Sequence, residues 1–295
     1  MLSKRRLYSW LAIIPALVFL WLGAGHWQIN PIPTKADTAK LQVSFLDVGQ
    51  GDAILIQAPG GKKVLLDGGE DGDKLLSNLD EEFGWRDKKI DLMVLSHPHA
   101  DHVRGFNSLF GRYQISEVVG TGVLHNSSVY EAWLTNIKNN NLKLKTVKAG
   151  ETIDLGGGAT LQVLFPFSDL NGQTVSNLNN SSLVLKLTYG QISFLLTGDA
   201  EEEVEKQLLA SSVDVSAQVL KVAHHGSANA TSMKFLEAVK PQLAIISVGK
   251  DNDFGHPHDT TLNKLEASGA KILRTDELGT IKISTDGKSI EVSGK

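Results

Sequence analysis

The sequence predicts an α/β fold in which two similar halves pack sheet against sheet around one core, with helices outside. Segments of strand length, either apolar or alternating, recur along the chain between glycine-rich turns and stretches with helical spacing. In addition, histidines and aspartates directly follow several of the predicted strands, as at the ligand-binding edge of an open α/β sheet.

An apolar segment without charged residues, 7–24, follows three basic residues near the start of the chain. Its length is close to the lower limit of about 17–25 residues for a membrane-spanning helix. We predict residues 1–27 to be a membrane anchor or a cleaved signal peptide, and the length of the apolar run favours the anchor. Both alternatives place the rest of the chain outside the cytoplasm, either anchored to the cell membrane or secreted.

Residues 28–40 contain two prolines and no periodic apolar pattern, so we predict a linker to a folded domain at 41–295. The net charge of the chain is −4, and it falls to −7 without the three basic residues at the N-terminus. This charge argues against a strong, sequence-independent grip on long nucleic acid, although a local basic groove stays compatible with it. Cysteine is absent, which excludes disulfides and cysteine-based zinc sites.

Within the domain, predicted strands and helices follow one another in a regular order. Alternation at 41–45 predicts a strand, and apolar runs around a Gly-Gly turn predict a hairpin over 53–67. Ser127 and Ser128 are typical caps for the helix predicted after them. The other predicted elements are strands within 142–166, a hairpin at 183–197, helices at 200–210 and 231–239, strands at 218–222, 243–248 and 271–273, and a terminal hairpin turning at 286–287.

The segment 90–105 carries the densest group of potential metal ligands. A short apolar run predicts a strand buried on both faces, and His97, His99, Asp101 and His102 follow it within six positions. Imidazole and carboxylate are ligands for zinc, iron or manganese. On a turn that leaves a strand, the first two histidines can point to one side and Asp101 with His102 to the other. The spacing therefore allows two adjacent metals.

Two later strand ends supply further candidates. Asp199 follows a buried strand that ends in glycine, so its carboxylate could bridge two metals with one oxygen for each. We also expect Asp199 to cap the helix that follows it. His224 and His225 follow another apolar strand, and because adjacent side chains diverge, one would bind metal while the other faces substrate.

Three more residues are weaker candidates. His256 and His258 lie in a Gly/Pro loop, where phosphate binding, proton donation and a merely local role all stay open. Asp67, at a strand end before two glycines, could orient a ligand histidine from behind. Two adjacent metals would lower the pKa of a bound water to about 7 and clamp the attacking and leaving oxygens of a displacement. His224 or His258 would then protonate the leaving group.

The H-x-H-x-D-H motif, the later Thr-Gly-Asp and a late histidine resemble the metallo-β-lactamase superfamily. Within it, FLDVGQGDAILIQ, SHPHADH, FLLTGDAE, LKVAHHGS and GHPH look like the C-terminal hydrolase domain of ComEC competence proteins, over roughly residues 41–290. The resemblance implies a metallo-β-lactamase-like αββα four-layer sandwich, here preceded by one N-terminal hydrophobic helix. It also implies a dinuclear hydrolase of phosphodiester bonds, which in ComEC degrades the DNA strand that is not imported.

The resemblance also implies roles for single residues. Two divalent metal ions would be bound, zinc in the first place and manganese as the alternative. The implied ligands are His97 and His99 at one metal, Asp101, His102 and His225 at the other, and Asp199 between them. The residues expected to act in catalysis are Asp101, His224 and His258, and those expected to contact substrate are Asn180, Ser227 and His256.

Two departures from the family pattern shape the functional alternatives. Many members place a histidine before the Thr-Gly-Asp strand, where this chain has Asn179-Asn180-Ser181. The metal at His97 and His99 is therefore short of a ligand, which Asn180 or water would supply. ComEC proteins also carry a many-helix channel, so DNA uptake would need a separate channel as partner.

From these observations we predict an exported nuclease that acts on single-stranded DNA in competence and contacts the membrane through its N-terminal helix. One alternative is a surface esterase that releases phosphorylcholine or a similar group, for which the same metal core would serve. The other is a non-catalytic, metal-binding accessory protein of DNA uptake.

Overall fold

Two β-sheets form the centre of the molecule in the computed structural model, which describes residues 40–84 and 86–294. The first sheet contains β1 (Leu41–Phe45), β2 (Ile54–Gln57), β3 (Lys63–Leu66), β4 (Lys89–Val94), β5 (Gln114–Gly120), β6 (Leu144–Thr146), β14 (Ile281–Thr285) and β15 (Ile290–Gly294). The second contains β7 (Thr152–Gly156), β8 (Ala159–Phe165), β9 (Val184–Tyr189), β10 (Ile192–Leu196), β11 (Val219–Lys221), β12 (Leu243–Ile246) and β13 (Lys271–Arg274). Their spatial orders are β15-β14-β1-β2-β3-β4-β5-β6 and β13-β12-β11-β10-β9-β8-β7.

Seven α-helices accompany these sheets within the described residues: α1 (Gly72–Phe83), α2 (Ala100–Val103), α3 (Ser128–Asn139), α4 (Glu202–Ala210), α5 (Met233–Val239), α6 (Asp259–Ala267) and α7 (Thr275–Leu278). The predicted anchor or signal segment, 1–27, and the linker as far as residue 39 lie outside the described residues. Among the helices that are described, none has the length and apolar character needed to cross a membrane.

Three apolar clusters explain how these elements form layers. One cluster lies between the sheets and joins Phe45 of the first to Phe194 of the second. Another packs α1 and α3 on the outer face of the first sheet, around the fully buried Trp133. The third packs α4, α5 and α6 on the outer face of the second sheet, around Phe235. The order is therefore helices, sheet, sheet, helices, and the predicted α/β class with two sheets and flanking helices is confirmed.

The polar loops lie at the carboxyl ends of parallel strands. In the first sheet β3, β4, β5 and β6 run parallel, and in the second β10, β11, β12 and β13 do so. The last residues of the central strands β3, β4, β10 and β12 are buried and apolar, and the polar candidates follow them in the loops. The candidate residues after β3, β4, β10, β11 and β12 therefore gather at two facing sheet edges.

The structure adds the position of the predicted terminal hairpin and differs from the sequence prediction at two helices. The terminal hairpin pairs with β1 in the first sheet, where Val43 lies opposite Ile283, because this placement buries both Ile281 and Ile283 against the inter-sheet core. Helix α1, which was not predicted, begins at Asp71, whose side chain accepts hydrogen bonds from two backbone N–H groups. The prediction that Asp199 caps α4 is wrong, since the capping position is Glu201.

Candidate metal centre

The histidine-rich loop after β4 directs four side chains into one buried space. His97 and His102 are fully buried, whereas His99 and Asp101 are partly exposed. The loop turns at His99, which precedes the single helical turn α2 and has extended backbone angles. This change from strand to helical turn separates the side chains. His97 Nε2 lies 3.0 Å from His99 Nδ1, and His102 Nε2 lies 3.2 Å from Asp199 Oδ2.

Among the described residues, two groups of potential metal ligands share Asp199, and a third group lies behind them at Asp52, Asp67 and His102. Within each group, one ligand atom per residue lies within 4.8 Å of the others. The two groups that share Asp199 are His97, His99 and Asp199, and then Asp101, His102, Asp199 and His225. The structure thus brings together the residues that the sequence proposed for two metals, and in the same division.

The two oxygens of Asp199 have different surroundings. Its Oδ2 faces both groups, at 3.8 Å from His97 Nε2, 3.2 Å from His102 Nε2 and 3.4 Å from His225 Nε2. Its Oδ1 points away, towards the ammonium group of Lys221 at 3.7 Å. In this arrangement a single oxygen lies nearest the ligands of both groups, and a bridge with one oxygen for each metal stays a prediction.

The donor set fits divalent metal ions. His102 Nε2 and His225 Nε2 are buried, and neither has a hydrogen-bond partner. Buried polar atoms of this kind normally have a partner, so a pair of them aimed at one carboxylate oxygen is a reason to expect a ligand there. Imidazole nitrogen and carboxylate oxygen suit zinc and manganese alike.

Hydrogen bonds on the far side of each imidazole fix the ring orientation. Asp67 is buried and accepts from the backbone N–H of Ser96 at 2.7 Å, and its Oδ2 lies 2.9 Å from His102 Nδ1. His225 Nδ1 lies 2.9 Å from the carbonyl oxygen of Ser247. With the proton of each ring held at Nδ1, Nε2 offers a lone pair to a metal. Asp67 therefore lies where the sequence placed it, behind a ligand histidine.

Burial and neighbouring carboxylates move the pKa values of these histidines in opposite directions. Burial lowers the pKa of His97 well below its usual value, and the charge of His102 adds to this. Burial also opposes the charged form of His102 and His225, but the carboxylates of Asp199 and Asp101 outweigh it. The pKa of His102 is therefore raised, and that of His225 is raised to about 9. A metal bound here would displace protons from these two rings.

The two adjacent histidines after β11 have an uncommon backbone. His224 and His225 have positive φ angles of 50° and 51°. A left-handed conformation costs an L-residue roughly 1–2 kcal/mol, so this pair is a place where strain is retained. The turn keeps both rings beside Asp199. The His225 ring is buried among the ligands. The His224 ring is partly exposed, and its Nε2 lies 4.0 Å from Asp199 Oδ2. His225 thus lies with the ligands and His224 lies at their rim.

The loop after β12 adds two histidines beside His224. The ring centroids of His256 and His224 are 5.5 Å apart, and those of His256 and His258 are 4.9 Å apart. Burial and the neighbouring His225 lower the pKa of His256 to about 4, so this ring is neutral at pH 7. His258 Nδ1 accepts a hydrogen bond from the backbone N–H of Ala228 at 3.2 Å. A neutral His258 ring with this partner carries its proton on Nε2.

Comparison with known proteins agrees with this geometry. Residues 46–250 match the family model of the metallo-beta-lactamase superfamily. The chain belongs to this superfamily. Among solved structures, the metallo-beta-lactamase fold protein YhfI from Bacillus subtilis has a TM-score of 0.54 at 14% sequence identity, covering 83% of this chain and 99% of its own. That likeness shows a shared fold.

Curated relatives include competence proteins. ComE operon protein 3 of Bacillus subtilis (strain 168) is 30% identical over 263 residues, which are 82% of this chain and 32% of that protein. Competence protein ComA of Neisseria gonorrhoeae is 26% identical, over 92% of this chain and 36% of its own length. The chain thus spans about a third of the length of the curated relatives it matches.

The two asparagines of the turn over 179–181 have different partners. Asn180 donates to Glu203 Oε2 at 3.2 Å and accepts from the backbone N–H of Glu201 at 3.1 Å. The neighbouring Asn179 is buried instead, with its Nδ2 3.4 Å from His224 Nε2 and its Oδ1 without a hydrogen-bond partner. In the turn over 179–181 it is therefore Asn179 that contacts His224, and a contact of Asn180 with substrate or metal stays a prediction.

Ser227 closes the turn that carries the two histidines. Its backbone N–H donates to the carbonyl oxygen of His224 at 2.8 Å, and its own carbonyl oxygen accepts from the Thr261 hydroxyl at 2.8 Å. These bonds hold the backbone in place and involve no part of the Ser227 side chain. Its contact with substrate stays a prediction.

Sequence reasoning missed a buried ion pair behind Asp199. Lys221 Nζ lies 2.5 Å from Asp52 Oδ2, and both side chains are almost completely buried. A lysine among the apolar residues of β11 is the feature that could have revealed it, because lysine is almost never fully buried without a partner. The partner lies 169 positions away in the Gly-Gln-Gly-Asp loop, which no local pattern connects to β11.

Proposed function

We propose that this protein is a dinuclear, metal-dependent phosphodiesterase that acts on single-stranded DNA. The observation that supports it is the single Asp199 oxygen faced by two groups of ligands, with two buried imidazole Nε2 atoms aimed at it. Two bound metal ions supply Lewis acidity and an activated water, which suits the displacement at phosphorus. The names of two curated relatives, Competence protein ComA and ComE operon protein 3, favour DNA as the substrate.

The residues at the rim would bind substrate and move protons. His258 Nδ1 accepts the Ala228 N–H, which leaves Nε2–H free to donate a hydrogen bond to the leaving oxygen, and we assign His258 the transfer of a proton there in its imidazolium form. His224 is the second candidate, since its Nδ1 lies 3.5 Å from Glu201 Oε1, which can hold a proton on that nitrogen. His256 stays neutral at pH 7 because burial and its neighbours lower its pKa, and it is suited to contact a phosphate oxygen through a ring N–H.

Phe254 offers a contact for the organic part of the substrate. Its side chain is 62% exposed, and its ring stacks on His256 with a centroid distance of 5.7 Å and an interplanar angle of 24°. An exposed aromatic face beside a phosphodiester site can stack on a nucleobase. The same face can also bind a quaternary ammonium, so a phosphorylcholine-type esterase is the second candidate function.

Hydrolysis assays with the full chain, purified in detergent and loaded with Mn²⁺ or Zn²⁺, test this function. The substrates are labelled single-stranded DNA, bis-p-nitrophenyl phosphate and p-nitrophenyl-phosphorylcholine. We expect cleavage of the first two, with loss of activity in Asp199→Asn and His99→Ala. Asp214→Asn is the matched control, because this exposed carboxylate pairs with Lys186 away from the centre.

Other results of the hydrolysis assays would contradict the proposed function in different ways. Activity that survives both Asp199→Asn and His99→Ala would refute the metal mechanism. Cleavage of the choline ester alone would favour the second candidate function. A chain that binds metal and cleaves none of the three substrates would be an accessory protein, and the nuclease proposal would be wrong.

We also propose that residues 1–27 carry the domain across the membrane and that a separate channel handles DNA uptake. The apolar run at 7–24 after three basic residues supports the first part. A C-terminal fusion to alkaline phosphatase, which is active only outside the cytoplasm, tests it. We expect an active fusion in the membrane fraction or the medium, and an inactive fusion would contradict export.

A further inference from the structure

Lys221, at the end of β11, is a charged side chain without access to solvent. Its relative exposure is 0%, and Asp52, its partner at 2.5 Å, is 1% exposed. Lys221 Nζ also donates to the carbonyl oxygen of Gly198 at 3.1 Å. Charges buried in this way occur when they are paired, and hydrophobic residues of similar volume often give equal or better stability. The presence of the pair here therefore calls for a reason other than stability.

The pair touches the metal centre on two sides. Lys221 Nζ lies 3.7 Å from Asp199 Oδ1, the oxygen that faces away from the ligand histidines. Asp52 Oδ1 lies 3.5 Å from His225 Nδ1. Asp52 belongs to the loop between β1 and β2 of the first sheet, and Lys221 belongs to the second sheet. The ion pair thus connects the two sheets directly behind two ligand residues.

The ammonium charge restricts what Asp199 can do. A free aspartate can rotate its carboxylate and bind one metal through both oxygens, which would leave the other ligand group without its shared atom. The Lys221 charge attracts Oδ1, so that Oδ2 alone faces His97, His102 and His225. The same charge keeps a cation out of the space among Asp52, Asp67 and His102, whose ligand atoms also come within 4.8 Å of one another.

We propose that Asp52 and Lys221 are positioning residues that hold Asp199 in the orientation needed for two metals. The Lys221 charge attracts Oδ1, which has no hydrogen-bond partner of its own, and the centre would bind its second metal because Oδ2 remains available to both groups. This inference rests on the proposed metal centre, but it concerns the number of metals bound and does not depend on which substrate is cleaved.

Lys221→Met in the full chain tests the proposal, and Lys186→Met is the matched control. Lys186 is also buried, at 8% exposure, and pairs with Asp214 at 2.7 Å on the neighbouring part of the same sheet. Bound manganese is counted by mass spectrometry after desalting, and its electron paramagnetic resonance spectrum distinguishes coupled ions from single ones. The melting temperature of each variant is measured alongside.

We expect two ions with a coupled spectrum in the wild type and in Lys186→Met. In Lys221→Met we expect one ion with an uncoupled spectrum, and a fall of about 10–100-fold in affinity for the second ion, as for other groups that orient metal ligands. If Lys221→Met does not fold, the double variant Asp52→Leu with Lys221→Met removes both charges, leaves no unpaired buried charge, and takes its place.

Two coupled ions at wild-type affinity in Lys221→Met or the double variant would overturn the proposal. An equal loss in Lys186→Met would also overturn it, because a general effect of removing a buried lysine would then explain the result. A wild type that binds one ion would contradict it too. If the wild type binds two ions and Lys221→Met one, but no phosphodiester is cleaved, the inference stands and the proposed function fails.

Discussion

The loop between β1 and β2, which contains Gly51, packs against the backbone of the ligand residue Asp101. A substitution at Gly51 therefore tests whether this contact positions Asp101 for metal binding. A Cβ added to Gly51 would lie 1.8 Å from the carbonyl oxygen of Asp101 and 2.7 Å from its carbonyl carbon. Ordinary contact begins near 3.4 Å, so in Gly51→Ala the two segments must move apart by about 1.6 Å. Asp101 belongs to one ligand group, and a misplacement of about 1 Å can cost on the order of 100-fold in activity.

The control for this change is Gly61→Ala. Both glycines have positive φ angles, 103° for Gly51 and 88° for Gly61, so both substitutions introduce backbone strain. A Cβ at Gly61 meets nothing within 4 Å, however, and Gly61 lies in the turn between β2 and β3. The difference between the two variants therefore isolates the displacement of Asp101.

The assay is metal affinity, measured by competition with a chromophoric chelator, together with the melting temperature. We expect Gly51→Ala to bind at least one ion about 10–100-fold more weakly than Gly61→Ala, as for other changes behind metal ligands. Equal affinities in the two variants would refute the claim that the Gly51 loop positions Asp101.

Three further predictions follow from the same geometry. Asp67→Asn replaces the carboxylate that accepts from His102 Nδ1 with an amide, so we expect metal affinity to fall by about 10–100-fold. Unchanged metal affinity would contradict the role of Asp67 in orienting His102. In the metal-free protein, the pKa of His225 is raised to about 9 from 6.5, so its contribution to stability is complete below pH 6.5 and is lost as the pH rises through 9. Urea unfolding should show a loss on the order of 3 kcal/mol between these pH values, and a rise in stability would contradict the charge assignment. Phe254→Ala should weaken binding of single-stranded DNA by about 5–150-fold, corresponding to about 1–3 kcal/mol for one stacked base; an unchanged KM would show that Phe254 does not contact the substrate.

Much of the ligand set could be predicted because each part of it follows a strand. The run Leu92–Leu95 and the spacing of the next histidines are local, and the carboxyl ends of parallel strands meet at one edge of a sheet. The same reasoning applies to Asp199 and His225. These residues come together in the structure in the predicted division into two groups.

The remaining features depend on conformations and contacts that a local pattern does not contain. The turn over 179–181 brings Asn179 to His224 and Asn180 to Glu203, and spacing in the sequence does not distinguish the two. The left-handed backbone at His224 and His225 is retained by the surrounding structure, because two successive L-residues occupy this region only at a cost. The partnership of Asp52 with Lys221 joins two sheets, and sequence separation hides it.

The central claim is that two metal ions share one oxygen of Asp199, and anomalous diffraction from crystals grown with Mn²⁺ or Zn²⁺ tests it most directly. We predict two anomalous peaks, one at His97, His99 and Asp199 and the other at Asp101, His102, Asp199 and His225. Because the first group lacks a third histidine, its peak should weaken first as the metal concentration is lowered. A single peak at saturating metal, or two peaks that do not both contact Asp199, would contradict the account.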